Sequence, residues 1–428
     1  MKLKDIIDKF IPGDWGEELI TNDTPCAVYC VRGADIVPIS KSDFDNIPKR
    51  YVSQRSFETK CLQEGDIIIE KSGGSPTQST GRVTFVSKEL LDCAGSLVCS
   101  NFCVAFRVKK NWNPLYVYFF FQYIYNQDVF FNFEGKTSGL KNLQLDNAFA
   151  SIPIEEVSIA KQNEIASVLT CIEKKMALNR AINRNLEAMA KQLYDYWFVQ
   201  FDFPDENGKP YKSSGSKMVW NEKLKREIPD GWESSNVCAI ADILSGGTPS
   251  KNAPEYWNKG TIPFFGPTDV DGNVFQVQTS DAITEEGLRH CASSLFEPNT
   301  IIITARGSIG KLVIVGTPMA MNQSCYALRA KKDEYGYLYF LTIELIEHLK
   351  QKGTGSVFKS IITSDIENSK LCIGDAKIIE AYCEKVHPLF EMIKKNTFEI
   401  TSLTKQRDEL LPLLMNGQVS VNCDLSHD

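Results

Sequence analysis

The feature that most constrains this chain is that its second half repeats its first, segment by segment and in the same order. Ile-Pro followed by a Trp turn stands at Ile11, Pro12 and Trp15 and again at Ile228, Pro229 and Trp232, an offset of 217 from Pro12 to Pro229. Arg32-Gly33-Ala34-Asp35-Ile36 faces Gly266-Pro267-Thr268-Asp269-Val270 at an offset of 234, so the second copy is expected to carry seventeen extra residues between Gly246 and Gly260. Leu62-Gln63-Glu64-Gly65-Asp66-Ile67-Ile68-Ile69 faces Phe296-Glu297-Pro298-Asn299-Thr300-Ile301-Ile302-Ile303 at the same 234. Further on, Cys103-Val104-Ala105-Phe106-Arg107 faces Cys325-Tyr326-Ala327-Leu328-Arg329, and Leu140-Lys141-Asn142-Leu143 faces Phe358-Lys359-Ser360-Ile361. Solenoid repeats run about 20–50 residues, and this one exceeds two hundred, so the repeated unit is a whole domain.

A chain of 428 residues that is 43% hydrophobic can bury two cores, at about 150 residues per domain. No stretch reaches the roughly 18 apolar residues of a membrane span, and the most apolar run, 115–124, reads as a buried helix. Met1-Lys2-Leu3-Lys4-Asp5 has no apolar core of a signal peptide, which sets the expectation of a cytoplasmic protein. Thirteen cysteines without a C-x-x-C pair, and four histidines, support neither a zinc site nor a disulfide framework; reduced, partly buried thiols are expected. The net charge of −7 argues mildly against a nucleic-acid partner, although a duplex responds to a local patch rather than to the sum.

Each copy ends in a long helical pattern. Ile165, Ile172, Leu186 and Leu193 fall on a seven-residue period, with Val168, Ile182 and Met189 three positions on. The second copy repeats it at Ile379, Val386, Ile393, Ile400 and Leu414, with Leu389, Leu403 and Leu410 interleaved. Heptads sustained in this way predict two helices able to pair as a coiled coil, or two amphipathic helices packed on their own domains. Asn179 and Asn396 read as polar seam residues, Pro388 and Pro412 as sites of a kink or a first turn, and Gly417 as a C-terminal cap. The aromatic passage Tyr194-Asp195-Tyr196-Trp197-Phe198-Val199-Gln200-Phe201-Asp202-Phe203-Pro204 is either core or an anchor for a partner subunit.

Polar, glycine-rich loops follow the β-branched runs. In the first copy Lys71, Ser72, Gly73, Gly74, Thr77, Gln78 and Arg82 follow Ile67-Ile68-Ile69, with Asn101, Lys136, Thr137 and Lys141 beyond. In the second, Gly246, Gly247 and Thr248 precede Arg306, Ser308 and Lys311, then Asn322, Gln323, Lys352, Thr354, Ser356 and Lys359. Glycine admits close backbone approach to a phosphate, Arg and Lys neutralise it, and Asn or Gln can contact adenine with two hydrogen bonds. These residues are candidate DNA contacts, and Lys141 and Lys359, at matched positions, candidate phosphate contacts; the same composition also makes ordinary hairpin turns.

Signals for catalysis fail. Gly307-Ser308-Ile309-Gly310-Lys311-Leu312 is too short for a phosphate-binding loop and has Leu312 in place of its hydroxyl. No Gly-rich dinucleotide fingerprint is present, and Glu173-Lys174-Lys175 lies on the heptad helix.

Gly246-Gly247-Thr248-Pro249-Ser250, Ala305-Arg306-Gly307-Ser308-Ile309-Gly310, Met321-Asn322-Gln323-Ser324-Cys325, Gly353-Thr354-Gly355-Ser356 and the passage at 197–204 with its Gly-Lys-Pro-Tyr linker, in this order, resemble the specificity subunit of type I DNA restriction-modification systems over essentially the whole chain. The first copy departs from the pattern, with Glu70-Lys71-Ser72-Gly73-Gly74 where the second has Thr304-Ala305-Arg306-Gly307-Ser308. The resemblance implies an α+β chain of two similar target-recognition domains, at 1–157 and 201–375, the second including a linker. It implies two long helices, at 158–200 and 376–418, pairing as an antiparallel coiled-coil spacer with pseudo-twofold symmetry, and a tail at 419–428. It further implies a non-catalytic reader of a bipartite, asymmetric site in double-stranded DNA, with no cofactor of its own. Two modification subunits that bind S-adenosylmethionine and methylate adenine, and in some systems two restriction subunits, would be its partners. A coiled-coil scaffold that binds proteins or small ligands is the alternative from another class.

Overall fold

The computed structural model describes residues 1–75, 78–136, 141–352 and 360–420, with only the backbone of Lys136 and Lys352. The chain divides into two compact units, Met1–Ala177 with Leu403–Asp428, and Leu178–Ser402. Both are α+β.

In the first unit a four-stranded sheet has the order Ile7–Pro12, Cys103–Val108, Ile67–Glu70, Val83–Phe85, all antiparallel. The first three residues of its strand Ile67–Glu70 are apolar because both faces are covered: Ile67 and Ile69 join the aromatic core of Phe106, Phe121 and Phe149, while Ile68 points into a second cluster with Ile11, Val31 and Leu97. Burying each of these isoleucines is worth about 1.5–3 kcal/mol. The run read as a buried helix is one, Pro114–Asn126, capped by the Asn113 side chain, which accepts from Leu115 N and Tyr116 N. A second sheet places Cys26–Val31 antiparallel to Lys49–Val52 and parallel to Leu97–Cys99.

The second unit repeats this plan. Its main sheet runs Ala241–Ser245, Cys325–Ala330, Ile301–Thr304, Leu312–Val315, with Phe275–Gln276 added in parallel at the edge. Ile301 and Ile303 face one core and Ile302 the other, as in the first unit. Ile262–Phe265 lies antiparallel to Asp281–Ile283 and parallel to Ala320–Met321.

These registers correct one correspondence. Ile7–Pro12 is a main-sheet strand, and its counterpart is Ala241–Ser245, whereas Ile228 and Pro229 lie in a separate hairpin, Met218–Asn221 with Arg226–Pro229. The offset is 234 at Ile7 and Ala241 and, past the bulge that follows Ile7, 233 from Lys9 and Asp242 to Pro12 and Ser245, so the expected seventeen-residue insertion shrinks to one residue. A shared Ile-Pro-Trp string arose from different structures, because three residues do not fix a strand's partner.

The long helices are Ile159–Tyr194 and Ala376–Met415. Pro388 and Pro412 do not interrupt the second; Pro388 sits on its exposed side, where the lost N–H bond is offset by the buried row of Val386, Phe390 and Ile393. Gly417, at φ +67°, ends the helix. Within the second unit Asn179 Nδ2 donates to Glu399 Oε2 at 2.7 Å, Asn396 Nδ2 to Asn183 Oδ1 at 2.9 Å and Tyr382 OH to Ala190 O at 3.0 Å. Within the first unit Thr404 Oγ1 meets Met176 Sδ at 3.3 Å and Arg407 lies 3.9 Å from Glu173. In each unit numbers rise on one helix as they fall on the other, so these contacting segments run antiparallel. The second row of the stripe also needs correction. Ile182 and Met189 are exposed, and the inward positions are Leu169, Met176, Asn183 and Ala190, one residue later. A polar and a small residue hold two of those four places, so hydrophobicity pointed to their neighbours.

The aromatic passage is core. Tyr194, Trp197, Phe198, Phe201 and Phe203 are buried with Trp232, Tyr337 and Tyr382, while Tyr196 and Val199 are exposed. A Cβ on Gly374 would meet the Phe198 ring at 2.8 Å, which explains the glycine.

Candidate nucleic-acid interface

In each unit the loops at one end of the main sheet are hydrogen-bonded to one another. After the first strand, Gly13 passes so close to the tip of the turn that joins the two sheets that a Cβ would lie 2.0 Å from Ser100 O, and a Cβ on Gly246 would lie 2.2 Å from Asn322 O. Asp14 N then donates to Cys99 O at 2.7 Å and Gly247 N to Met321 O at 3.1 Å. The tip carbonyl of Phe102 accepts from Lys71 N and Ser72 N at 2.8 and 3.0 Å; that of Ser324 accepts from Ala305 N and Arg306 N at 2.8 and 3.2 Å. Leu143 N binds Lys71 O at 2.8 Å, and Ile361 N binds Ala305 O at 3.0 Å. A tight turn stands beside them in both: Asp35 Oδ2 accepts from Arg32 N at 2.8 Å, and Asp269 Oδ2 from Gly266 N at 2.7 Å.

The frame is common but the buried anchor under it differs. Glu70, almost fully buried, receives Arg82 through Nε at 2.8 Å and Nη2 at 2.6 Å, and Arg82 Nη2 also reaches Gly33 O at 3.1 Å. In the other unit Thr304 stands there, its hydroxyl donating to Ser308 O and accepting from Lys311 N at 2.9 Å. The anchors fix how each loop leaves the sheet.

The candidate residues divide accordingly. Lys71, Gly74, Gln78 and Asn101 are exposed, and Ser72 and Gly73 half-buried, the Ser72 hydroxyl bonded to Asn142 Oδ1. Arg82 is committed to Glu70, and Lys141 Nζ to Glu134 at 3.0 Å, above the Phe131 ring at 4.4 Å; neither is an unpaired cation. In the second unit Arg306, Ser308, Lys311 and Gln323 are exposed, and Gly246, Thr248 and Asn322 half-buried, with Gly247 buried. The Thr248 hydroxyl bonds Gln323 Oε1, and Asn322 Oδ1 accepts from Ser324 N at 2.9 Å, so that amide shapes its own turn. Thr77, Thr137, Thr354, Ser356 and Lys359 lie outside the described residues, as do the side chains of Lys136 and Lys352.

Sequence reasoning passed over Trp15, Arg50 and Phe102. The Arg50 guanidinium stacks on Trp15 at 4.0 Å, and Phe102 is 55% exposed at the tip of the turn between the two sheets. Trp15 was masked by its false partner Trp232. Burial pushes the thiols of Cys30, Cys103 and Cys325 up to about 12, so they are neutral and poorly nucleophilic. Among the described residues no cluster of His, Cys, Asp and Glu is suited to a metal, and no helix is long and apolar enough to cross a membrane.

The family described as "Type I restriction modification DNA specificity domain" matches residues 36–188 and 229–396, one stretch in each copy. The chain belongs to this family. It is 26% identical to the type I restriction enzyme MjaIX specificity subunit of Methanocaldococcus jannaschii, over 96% of this chain and 95% of that one. It is 23% identical to the HindI specificity subunit of Haemophilus influenzae, over 84% and 88%. The fold is similar to the crystal structure of a type I restriction-modification S subunit from M. genitalium, with a TM-score of 0.53 at 15% identity over 97% of this chain and 95% of that one. The two matched stretches take in the central strands and the inter-sheet turns of both units, the parts whose backbone bonds agree one for one.

Proposed function

We propose that this chain is the DNA-reading specificity subunit of a type I restriction-modification assembly, each unit reading one half of a bipartite, asymmetric duplex site. The observation that carries the reading is the doubled loop frame with different side chains on its tips: Asn101 and Phe102 on one, Gln323 and Ser324 on the other. Equal frames give two equivalent seats on a duplex, and unequal tips give two different half-sites. The contacting helix segments in each unit belong to one antiparallel coiled coil that spaces the half-sites, its register set by Asn179, Asn183 and Asn396. The chain itself carries no chemistry; modification subunits that bind S-adenosylmethionine methylate adenine, and restriction subunits join in systems that have them.

The experiment is methylome sequencing of a host with and without this chain and its modification subunit, followed by exchange of residues 1–157 for the equivalent segment of a relative. The expected outcome is a two-part motif of which the exchange alters one half. Alteration of both halves, or no methylation dependent on this chain, refutes the reading.

A further inference from the structure

The first unit has a cavity of about 510 Å3 among its loops. Trp15 and Phe102 supply aromatic walls, Glu70 lies beneath, and Arg32, Ser72 and Asn101 bring polar groups to it. Each part is held from behind. Arg50 covers one face of Trp15 at 4.0 Å and is itself paired with Glu18 at 2.9 Å, so the indole is fixed. Phe102 is set by the two amides that bind its carbonyl, yet its ring is left more than half exposed. Gly33 and Gly73 make room for the carboxylate: a Cβ on either would lie 2.8 or 2.5 Å from Glu70 Oε1. Ser100 Oγ, which also borders the space, is buried and, among the described residues, has no partner beyond the Cys103 sulfur, toward which its hydroxyl donates.

The second unit keeps the frame and loses the walls. By the registers of the paired strands, Thr248 and Ser324 stand where Trp15 and Phe102 stand, Thr304 where Glu70 stands, and Gly266 where Arg32 stands. Among the described residues at these matched positions, aromatic side chains stand in the first copy only. A frame shared by both copies does not require it.

We infer that this cavity is a nucleobase pocket, in which an unstacked base of the first unit's half-site lies against Trp15 and Phe102 with its polar edge toward Glu70, Ser72 and Asn101. The inference rests on the DNA-reading function proposed above and names the part of the site that makes this half differ from the other. A nucleobase supplies what the lining asks for: flat π faces for two aromatic walls, and donors and acceptors along one edge. Extrusion is easiest where a base has lost its pair, and that gives the test.

The full-length chain is titrated with duplexes carrying its methylome-derived site, in which the nucleotide opposite each successive base of the first half-site is made abasic. At one position binding tightens by roughly tenfold, and making the base itself abasic there weakens binding by a similar factor. Trp15→Ala and Phe102→Ala abolish both effects, whereas Trp15→Phe and Phe102→Tyr, which keep a ring, retain them. A flat profile for the native chain, or an unchanged profile in the alanine variants, overturns the pocket while leaving DNA reading intact. Alanine variants that do not fold leave the decision to the native profile and the ring-keeping pair. A native chain that does not bind its site at all removes the pocket together with the reading beneath it.

Discussion

Arg82 was legible in the sequence only as a cation in a polar loop, and its structural setting makes a different, measurable claim. It is the one ion-pair partner of Glu70 among the described residues; the Glu70 side chain is 3% exposed, and Arg82 meets both its carboxylate oxygens, at 2.8 and 2.6 Å. Truncation by Arg82→Ala leaves a buried charge uncompensated, at a cost of about 3–5 kcal/mol. For a unit of this size, where 1 kcal/mol moves Tm by about 2–4 °C, the lower estimate is a loss of about 6–12 °C. The double variant Glu70→Thr with Arg82→Ala removes the charge as well and installs the side chain that the second unit uses. It should recover most of the loss, giving a coupling of about 2 kcal/mol in a double-mutant cycle. Calorimetry reads the transition of the first unit, assigned by hydrogen exchange of the Ile67–Glu70 amides. DNA affinity of Arg82→Ala should fall with its stability, whereas the double variant also lacks a side chain that lines the cavity, so its affinity is not a readout of the anchor. If Arg82→Ala and the double variant melt together, the pair is not an anchor.

Lys71 and Arg306 are exposed and sit where each tip meets its loop, so Lys71→Ala and Arg306→Ala should each lower the slope of log affinity against log salt by about one, whereas Lys141→Ala, whose ammonium is paired with Glu134, should leave it unchanged in a salt titration. One heptad inserted at matched positions of both long helices adds about 10 Å, and should lengthen the spacer of the surviving methylation motif by about three base pairs with both half-sites kept; an unaltered spacer refutes the ruler. Burial raises the carboxyl of Glu187, against the opposing hydrogen bond from Tyr339 OH at 2.9 Å. The folded chain therefore holds this proton above the unfolded value of about 4.3, and its contribution to stability falls as pH rises from there through the raised value. Glu187→Gln keeps an acceptor for Tyr339, and in paired melts should match the native chain at pH 4 and exceed it at pH 7.

What the sequence revealed follows from how local each signal is. The duplication was readable because Ile67-Ile68-Ile69 and Ile301-Ile302-Ile303 must each be apolar on both faces, a demand met by three adjacent residues. The helix Pro114–Asn126 was readable for the same reason, since its burial is nearly complete around its circumference. The second row of the long helices was misplaced by one residue because Asn183 and Ala190 carry no apolar signal, whereas the exposed Ile182 and Met189 do. At the loops the sequence identified residue types without their partners. Glu70 and Arg82 are twelve residues apart, Lys141 and Glu134 seven, and Trp15 and Arg50 thirty-five, and in each case a strand register that no short motif encodes brings them together.

The buried anchor explains how two copies of one frame came to carry loops of different size. Ile69 pairs with Val83 and Ile303 with Leu312, so the first unit closes a loop of thirteen residues where the second closes eight. A threonine hydroxyl reaches only nearby backbone, and Thr304 accordingly holds Ser308 O and Lys311 N in a tight turn with Gly307 and Gly310 at positive φ. A carboxylate with a guanidinium spans farther, and the Glu70–Arg82 pair fastens the far end of the longer loop to its near end. Loop and anchor are therefore one heritable piece. Moving the 71–82 loop onto a frame that has threonine below would leave Arg82 without its carboxylate, and moving the short loop onto Glu70 would bury a charge with no counterion. Specificity can change in this chain by exchanging whole domains, or loops together with the residue at position 70 or 304, and the chemistry of that one buried position sets which loops the frame accepts.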